Sequence, residues 1–459
     1  MTEINFKSEK NVIHYRKSII HPASQEKSMA ETIQLPACSV PVIADVDIAV
    51  AGGSCTGVFA AVTAARKGAR VAVIEPQNRF GGTCTAGQVC IWHSFFATDD
   101  KTQIVFGLSQ EIVDRLNRRN LVEFWNKPNP HCYVNLNTEE LCMELDEMVQ
   151  EAHVMPFLHS RAVGVLKSDD GHLTGMIVAS KDGLGVVKAK VFIDATGDGD
   201  IVRYAGGQLW RNDVMQTSTA CVKVSQWPVG IATGKIIHEY AAKYNLPEGF
   251  IWGKKSVGSN TYMLAGTNIP NIDESTQAGL TASEIEGRRQ MRAFMDIIAE
   301  TGRPRPVIEA LPSLVGIRET WHIRSLHQIT TDELLSGKVF PDTAGKGTYR
   351  SDIHMRNPVG TLFRYLDGTQ IFQSPYKPAE TSRWRDESLP TPPYYTWPVR
   401  SQIPVGFDNL ITAGRMIDAD AGAYGALRVM INMNQSGETA GNIAFKSLDK
   451  NRPIHECWQ

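Results

Sequence analysis

The residues with the clearest chemical purpose are Gly52-Gly53-Ser54-Cys55-Thr56-Gly57 and, further on, Glu75. The apolar run Asp47-Ile48-Ala49-Val50-Ala51 leads into these glycines. A small-residue helix follows from Val58 to Lys67, and a second apolar run, Val71-Ala72-Val73-Ile74, ends in the acid. Strand, glycine turn, helix, strand and terminal acid in that order make a dinucleotide-binding βαβ unit. Gly52 permits the tight turn and Gly57 lets the helix lie close on the sheet. The free N–H groups of the first helical turn then point at a pyrophosphate. Glu75 is placed to accept hydrogen bonds from a ribose diol. Ser54 stands where the G-x-G-x-x-G pattern has its middle glycine.

Two later segments extend the pattern. Val191-Phe192-Ile193-Asp194-Ala195-Thr196-Gly197-Asp198-Gly199-Asp200 is a buried strand followed by small and acidic residues. Asn409-Leu410-Ile411-Thr412-Ala413-Gly414-Arg415 is another apolar strand ending in Gly-Arg, followed by a helix-like run from Leu427 to Leu448. This order resembles the FAD-dependent oxidoreductases of the glutathione-reductase-like fold class. Within it, the chain is similar to the bacterial FAD-dependent oxidoreductase family. The resemblance spans roughly residues 44 to 447. It is carried by Gly81-Gly82-Thr83, Phe192 to Asp200, Gly316-Ile317-Arg318-Glu319-Thr320, Ser351-Asp352-Ile353-His354 and Ala413 to Gly441.

The resemblance implies FAD, held by Gly52, Gly53, Ser54, Cys55, Thr56 and Gly57, by Glu75, Pro76 and Gln77, and by Gly82, Thr83 and Cys84. It puts the backbone at Ala162 against the adenine and adds Ala195, Thr196, Gly197, Asp200, Gly414 and Arg415. Gly425, Ala426, Leu427 and Arg428 complete the set. Small residues at Gly422, Ala423, Gly425 and Ala426 would let a helix N-terminus approach the flavin edge and favour the anionic reduced flavin. Their other reading is a helix-packing seam. The family implies no particular substrate.

Among candidates for the chemistry, His354 follows Asp352 by two residues in a family segment, and His93 follows the Gly-Gly loop. A neutral imidazole can take the proton of a substrate hydroxyl or amine as hydride leaves carbon. Arg318 is a further candidate, with a buried ion pair to Glu319 as its alternative. Arg400 could bind a substrate carboxylate or equally hold the last strand. Trp384, Tyr394, Tyr395 and Trp397 stack on a ligand or fill an interdomain core. Cys84 and Cys90 echo the disulfide reductases, but five residues separate them rather than four, and no second nucleotide unit or His-Pro-Thr stretch follows. Cys84 then reads as a small residue packed beside the cofactor, with a covalent thioether left open. No zinc-type ligand spacing, P-loop or nucleophile elbow is present, so no metal site is expected.

These residues need a scaffold, and the patterning supplies one. The fold class expected is α/β: a Rossmann-like FAD-binding domain, with a central parallel sheet and a β-meander, plus an inserted α+β substrate domain. A helix starts at Asn137 or Thr138, with Leu141, Leu145, Met148 and Val149 as its apolar stripe. Short strands follow at Val154 to Leu158, Ala162 to Lys167, Leu173 to Ser180 and Gly185 to Lys188. Glu31 to Pro36 reads as a short strand leading into the core. A long helix over Ser283 to Ile298 is capped by Thr281 or Ser283. The expected divisions are residues 1–43 as an N-terminal extension and 44–97, 137–204 and 395–450 as a discontinuous FAD-binding domain. Residues 98–136 and 205–394 form the substrate domain.

Composition agrees. The 459 residues allow two or three domains. Forty-seven basic against forty-nine acidic residues give a net charge of −2, which attracts neither nucleic acid nor an anionic membrane. No apolar run approaches the ~20 residues of a membrane span and no signal peptide is visible, which points to the cytoplasm. Eight scattered cysteines do not make a disulfide scaffold. The leading expectation is an oxidase or dehydrogenase passing hydride from a small or mid-sized polar substrate to FAD. Electrons would leave to dioxygen or a separate acceptor. A thiol–disulfide flavoprotein and a non-catalytic FAD-binding redox module are the alternatives.

Overall fold

The computed structural model describes residues 33–34, 36–125, 133–249 and 251–458. Its centre is a five-stranded parallel sheet in the order Leu410–Thr412, Val191–Asp194, Ile48–Ala51, Val71–Ile74, Met155–Phe157. The first four strands are buried along their whole length. Strands covered on both faces must be apolar without alternation, which is how these four read in the sequence. The order of strands reverses between Ile48–Ala51 and Val191–Asp194, and ligands of open α/β sheets bind at the carboxyl ends beside such a switch.

Helix Cys55–Ala65 lies on this sheet and is buried nearly all round. Its outer side carries the long helix Met430–Lys450, where Gly437 and Gly441 remove the side chains that would hold the two apart. A Cβ on Gly437 would sit 2.1 Å from the Thr56 carbonyl oxygen, and one on Gly441 2.3 Å from that of Ala60. The helix-like run expected from Leu427 is two helices, Ala421–Leu427 and Met430–Lys450, because Val429 adopts an extended conformation between them.

The β-meander is Arg161–Lys167, Leu173–Ser180 and Gly183–Lys188, antiparallel throughout. Its edge is extended by Val42–Asp45, parallel to the last of these strands. The described residues of the strand expected over 31–36 form none, and Ile33 is exposed. Helix Thr138–Glu151 is capped by Asn137, whose side chain accepts the amides of Glu139 and Glu140.

A second core is built on the antiparallel sheet Trp252–Lys255, Tyr262–Ala265, Cys221–Ser225, Val307–Ala310. Helix Gln277–Glu300 contributes Met291, Phe294 and Ile297 to it. This helix begins earlier than expected because Thr276, rather than Thr281 or Ser283, accepts the Gly279 amide. A four-stranded meander, Ser351–Arg356, Val359–Arg364, Thr369–Gln373 and Glu380–Arg383, stands apart from that sheet. Helix Gly107–Arg118 falls in the segment expected to join the substrate domain. Its Ile112, Val113 and Leu116 instead share the core of the first helix, beside Thr138–Glu151 and Met430–Lys450. No helix of the described residues is long and apolar enough to cross a membrane.

Candidate functional site

The glycine turn is built so that backbone occupies the space of side chains. Gly52 has φ 100°, and a Cβ there would lie 2.3 Å from the Ala195 carbonyl oxygen. A Cβ on Gly57 would lie 1.9 Å from the Gly52 carbonyl oxygen. Ser54 opens the helix without its hydroxyl capping an amide, and the first turn holds no acid. The N–H groups of that turn are therefore open to an outside anion. A Cβ on Gly82, at φ 52°, would lie 2.8 Å from Ser54 Cβ, so the Gly81-Gly82 loop packs closely over the helix start. Thr83 continues this loop and Cys84 turns inward, fully enclosed.

Glu75 is buried. Its carboxylate accepts the Gly53 amide at 2.6 Å and the Gln77 amide at 2.8 Å. Burial raises its pKa, with those two amides and the nearby Arg161 pulling the other way. Pro76 lies between these partners, and the Ser160 amide donates to the Glu75 carbonyl at 3.0 Å. Strand Arg161–Lys167, with Ala162 as its second residue, begins just after this contact. A free helix start, a cradle closed to Cβ atoms and an acid at the second strand's end fit a dinucleotide pyrophosphate and ribose.

At the neighbouring strand end, Asp194 is wholly buried. It accepts the Thr196 amide and hydroxyl at 3.1 and 2.7 Å and the Ile201 and Val202 amides at 2.8 and 3.1 Å. Burial outweighs these bonds and lifts its carboxyl to about 6. The Thr196 hydroxyl is therefore spent on the turn that shapes Ala195, Thr196 and Gly197. Arg415, after Gly414 at φ 119°, binds Asp198 at 2.6 Å and the Thr320 hydroxyl at 2.6 Å. Asp200 pairs with Arg203. Arg415 and Asp200, expected at the cofactor, direct their charged groups to protein partners.

The candidate histidine His354 and its partners gather elsewhere, around strand Ser351–Arg356. Helix Ala421–Leu427 is seated on this strand, with a Cβ on Gly425 only 2.9 Å from the Asp352 amide nitrogen and Ser351 Oγ donating to the Gly422 carbonyl at 2.7 Å. Its N-terminus is closed by Asp420, which accepts the Ala423 amide at 2.9 Å and the Thr331 amide at 2.7 Å. The small residues here pack the helix against the strand, and Asp420 caps its N-terminus. The Ala426 carbonyl accepts Tyr395 and Asn432, and Leu427 is in the core.

Asp352 is the hub. Tyr349 donates its hydroxyl to Asp352 Oδ2 at 2.8 Å, and His354 Nε2 lies 3.3 Å from Oδ1. Arg428 approaches Oδ2 at 3.6 Å and donates to the Asp352 carbonyl at 3.2 Å. Burial opposes the charge of Asp352, yet His354, Arg428, Arg350 and Arg318 hold its pKa well below the carboxylate range. His354 is pushed down to about 3 by burial and by Arg318, with Asp352 pulling back and Arg428 and Arg350 adding to the fall. Its other nitrogen is 3.5 Å from the Thr361 hydroxyl. The His93 ring packs 4.9 Å from that of Tyr349, so both candidate histidines reach the same Tyr349–Asp352 pair.

Arg318 joins this cluster rather than pairing with Glu319. Its guanidinium donates to the Thr219 hydroxyl at 2.7 Å and to the Thr217 carbonyl, and burial lowers it to about 10. Glu319 instead takes His322 at 3.2 Å and Asn212 at 2.6 Å. Tyr424 links the regions, donating to the Arg318 carbonyl at 2.5 Å with its ring edge-on to His322. Arg400 does not join them: it forks onto Asp342 at 2.9 and 3.1 Å and lies over Trp458. Its charge is spent holding two chain segments together. Tyr395 and Trp397 are fully buried core.

Cys84 and Cys90 are free and enclosed. Burial raises Cys84, with Cys55 adding to it, and lifts Cys90 to about 12, so neither offers the thiolate that disulfide exchange needs. Tyr349 and Arg350 escaped the sequence reading. Their only signal is adjacency to Ser351-Asp352-Ile353-His354.

Residues 47–457 match the family described as FAD dependent oxidoreductase. No curated protein matches the chain. Among solved structures, a geranylgeranyl bacteriochlorophyll reductase-like protein from Thermoplasma acidophilum is similar at 15% identity, covering 89% of this chain and 80% of that one, with a TM-score of 0.47. The p-nitrophenol 4-monooxygenase of Pseudomonas putida DLL-E4 follows at 10% identity, 89% and 81% coverage and a TM-score of 0.43. An aromatic hydroxylase from angucycline biosynthesis shares 10% identity, with 89% and 62% coverage and a TM-score of 0.44.

Proposed function

The chain belongs to the FAD-dependent oxidoreductase family and is a flavin enzyme that uses FAD, and from that premise we propose that it oxidises a small or mid-sized polar organic substrate at the Tyr349–Asp352–His354 cluster. FAD, when bound, supplies the acceptor for hydride from a substrate C–H bond. Gly52 to Gly57 hold the pyrophosphate, Glu75 the ribose, and the Gly81-Gly82 loop covers both. We read this as the glutathione-reductase-like arrangement, with the β-meander between the two sheet halves.

The observation that carries the reading is the Tyr349–Asp352–His354 set, in which Tyr349 and Asp352 are buried and the His354 side chain keeps a quarter of its surface exposed. Burial of the rest of the ring and the nearby Arg318 hold His354 neutral there. A neutral imidazole beside a carboxylate can take a proton from a substrate hydroxyl or amine at whichever ring nitrogen the carboxylate does not claim. His93, on the other side chain contact of Tyr349, is the second candidate for that proton. Arg318 and Arg428 orient polar substrate atoms. With one glycine-rich βαβ unit in the sequence, electrons leave to dioxygen or an external acceptor rather than through a built-in nicotinamide site. We place the enzyme in the cytoplasm.

The test is an anaerobic screen of alcohols, sugars, amines and hydroxy acids against the FAD-loaded protein, with flavin absorbance as the readout. Bleaching by a member of the panel supports the proposal, and His354→Ala should abolish it. Rapid bleaching by NADH or NADPH alone would overturn the electron route, and bleaching by dithiols alone would return the thiol reading.

A further inference from the structure

Arg350 has an unusual situation. Its guanidinium lies over the rings of Phe363 at 4.3 Å, Tyr349 at 5.3 Å and Tyr365 at 5.7 Å. Its Nε is buried without a hydrogen-bond partner. Among the described residues it forms no ion pair. The Arg428 Nε is likewise buried and unpartnered, and Arg318 is bound only to uncharged oxygens of Thr217 and Thr219. Three guanidinium groups thus act on the single carboxylate of Asp352, the one acid among the described residues that pairs with any of them, through Arg428. Buried charge of one sign is costly unless matched. The aromatic faces under Arg350 leave its planar edge as the direction for a partner, and a carboxylate matches such an edge with two parallel hydrogen bonds.

We infer that the substrate is an organic acid whose carboxylate is held by Arg350 together with Arg318 and Arg428. This rests on the reading above that substrate reacts at the Tyr349–Asp352–His354 set. A bound anion also offsets the arginines that weaken His354, so the base gains basicity only when substrate is in place.

The experiment titrates FAD-loaded protein with acetate, with its uncharged counterpart acetamide and with inorganic phosphate, following the visible band of bound FAD and the thermal midpoint. Acetate is expected to shift both saturably, acetamide to shift neither at the same concentration, and phosphate to bind more weakly than acetate. Arg350→Gln should weaken acetate at least tenfold while keeping FAD. Without acetate its thermal midpoint should equal or exceed that of the parent, since Arg350 has no internal polar partner to lose. Arg350→Lys should recover part of the affinity, because it restores charge without the fork.

The inference is overturned if acetamide matches acetate, if Arg350→Gln leaves acetate affinity unchanged, if phosphate binds more tightly, or if Arg350→Gln melts well below the parent. A neutral alcohol or amine that bleaches the flavin in a protein blind to acetate would leave the oxidation standing and remove the carboxylate clamp. Saturable acetate binding in a protein that no compound bleaches would keep the anion site and remove the oxidation.

Discussion

The Glu75 carboxylate accepts the Gly53 amide at 2.6 Å, so the acid that ends one strand is tied to the glycine turn that ends its neighbour. In the proposed placement, ribose and pyrophosphate recognition are therefore one mechanical unit. Glu75→Ala should lower FAD affinity about 10- to 100-fold, since each charge-assisted hydrogen bond is worth about 1.5–3 kcal/mol. Glu75→Gln should do little better, because its amide group turns a donor toward either the Gly53 or the Gln77 N–H. Flavin release followed by fluorescence measures both, and full FAD retention in the alanine variant would refute the placement.

The seam between the first and last helices makes a second prediction. A methyl group on Gly437 would meet the Thr56 carbonyl at 2.1 Å, and backbone cannot yield as a flexible side chain does. Gly437→Ala should destabilise the protein by about 1–3 kcal/mol through overpacking. It should also weaken FAD binding, since Thr56 belongs to the turn proposed to hold the pyrophosphate. Thermal unfolding of the FAD-free protein separates the two effects.

His354 provides the kinetic prediction. Its pKa in the ligand-free fold is about 3, below the ordinary 6.5, so it stays in the base form throughout the usual working range. The pH profile of kcat/KM for flavin reduction reports free-enzyme groups and should show no acid limb from His354 between pH 5.5 and 7. His354→Ala should keep FAD and lose about 10² to 10⁴-fold in flavin reduction. An acid limb near 6.5 that vanishes in this variant would mean that burial and Arg318 do not depress the imidazole.

Glu438 sets a pH dependence of stability far from the reacting groups. It accepts the Leu108 amide at 3.1 Å at the start of helix Gly107–Arg118, and burial lifts its carboxyl to about 7 from 4.5. Between those values the folded chain holds a proton that the unfolded chain has released. Stability therefore falls as pH rises through this window, and the loss is complete above it. Glu438→Gln keeps an acceptor oxygen without the charge. Its melting midpoint should equal the parent's near pH 4 and exceed it at pH 8, by roughly 1–3 kcal/mol in stability.

The parallel sheet could be read from the sequence because burial on both faces demands unbroken apolar runs, as at Ile48–Ala51 and Val191–Asp194. The Asn137 cap was legible for an equally local reason. Val42–Asp45 was not, since an edge strand with exposed side chains carries no period. Nor was the break at residues 428–429, where neither proline nor glycine marks the change of direction. In the candidate site, the spacing of Asp352 and His354 within a family segment pointed to their contact, which the structure contains. Arg318 and Glu319 misled as neighbours because they send their side chains to different partners, as consecutive residues of an extended chain do. Tyr349 and Arg350 stayed hidden since an aromatic–arginine pair in sequence says nothing of which carboxylate it will meet.

Strand Leu410–Thr412 and helix Met430–Lys450 come late in the sequence, yet they complete a sheet and a helix pair begun at residue 48. During synthesis at about 5–20 residues per second, the N-terminal half leaves the ribosome before these pieces exist. Until then Val191–Asp194 is an open edge and the first helix shows bare glycine-facing backbone to the cell. The glycine turn is thus translated well before the strand and helix that complete its sheet and helix pair. A ribosome that stalls beyond residue 204 would expose that apolar edge to chaperones, and premature termination there would yield an aggregating fragment rather than a smaller flavoprotein.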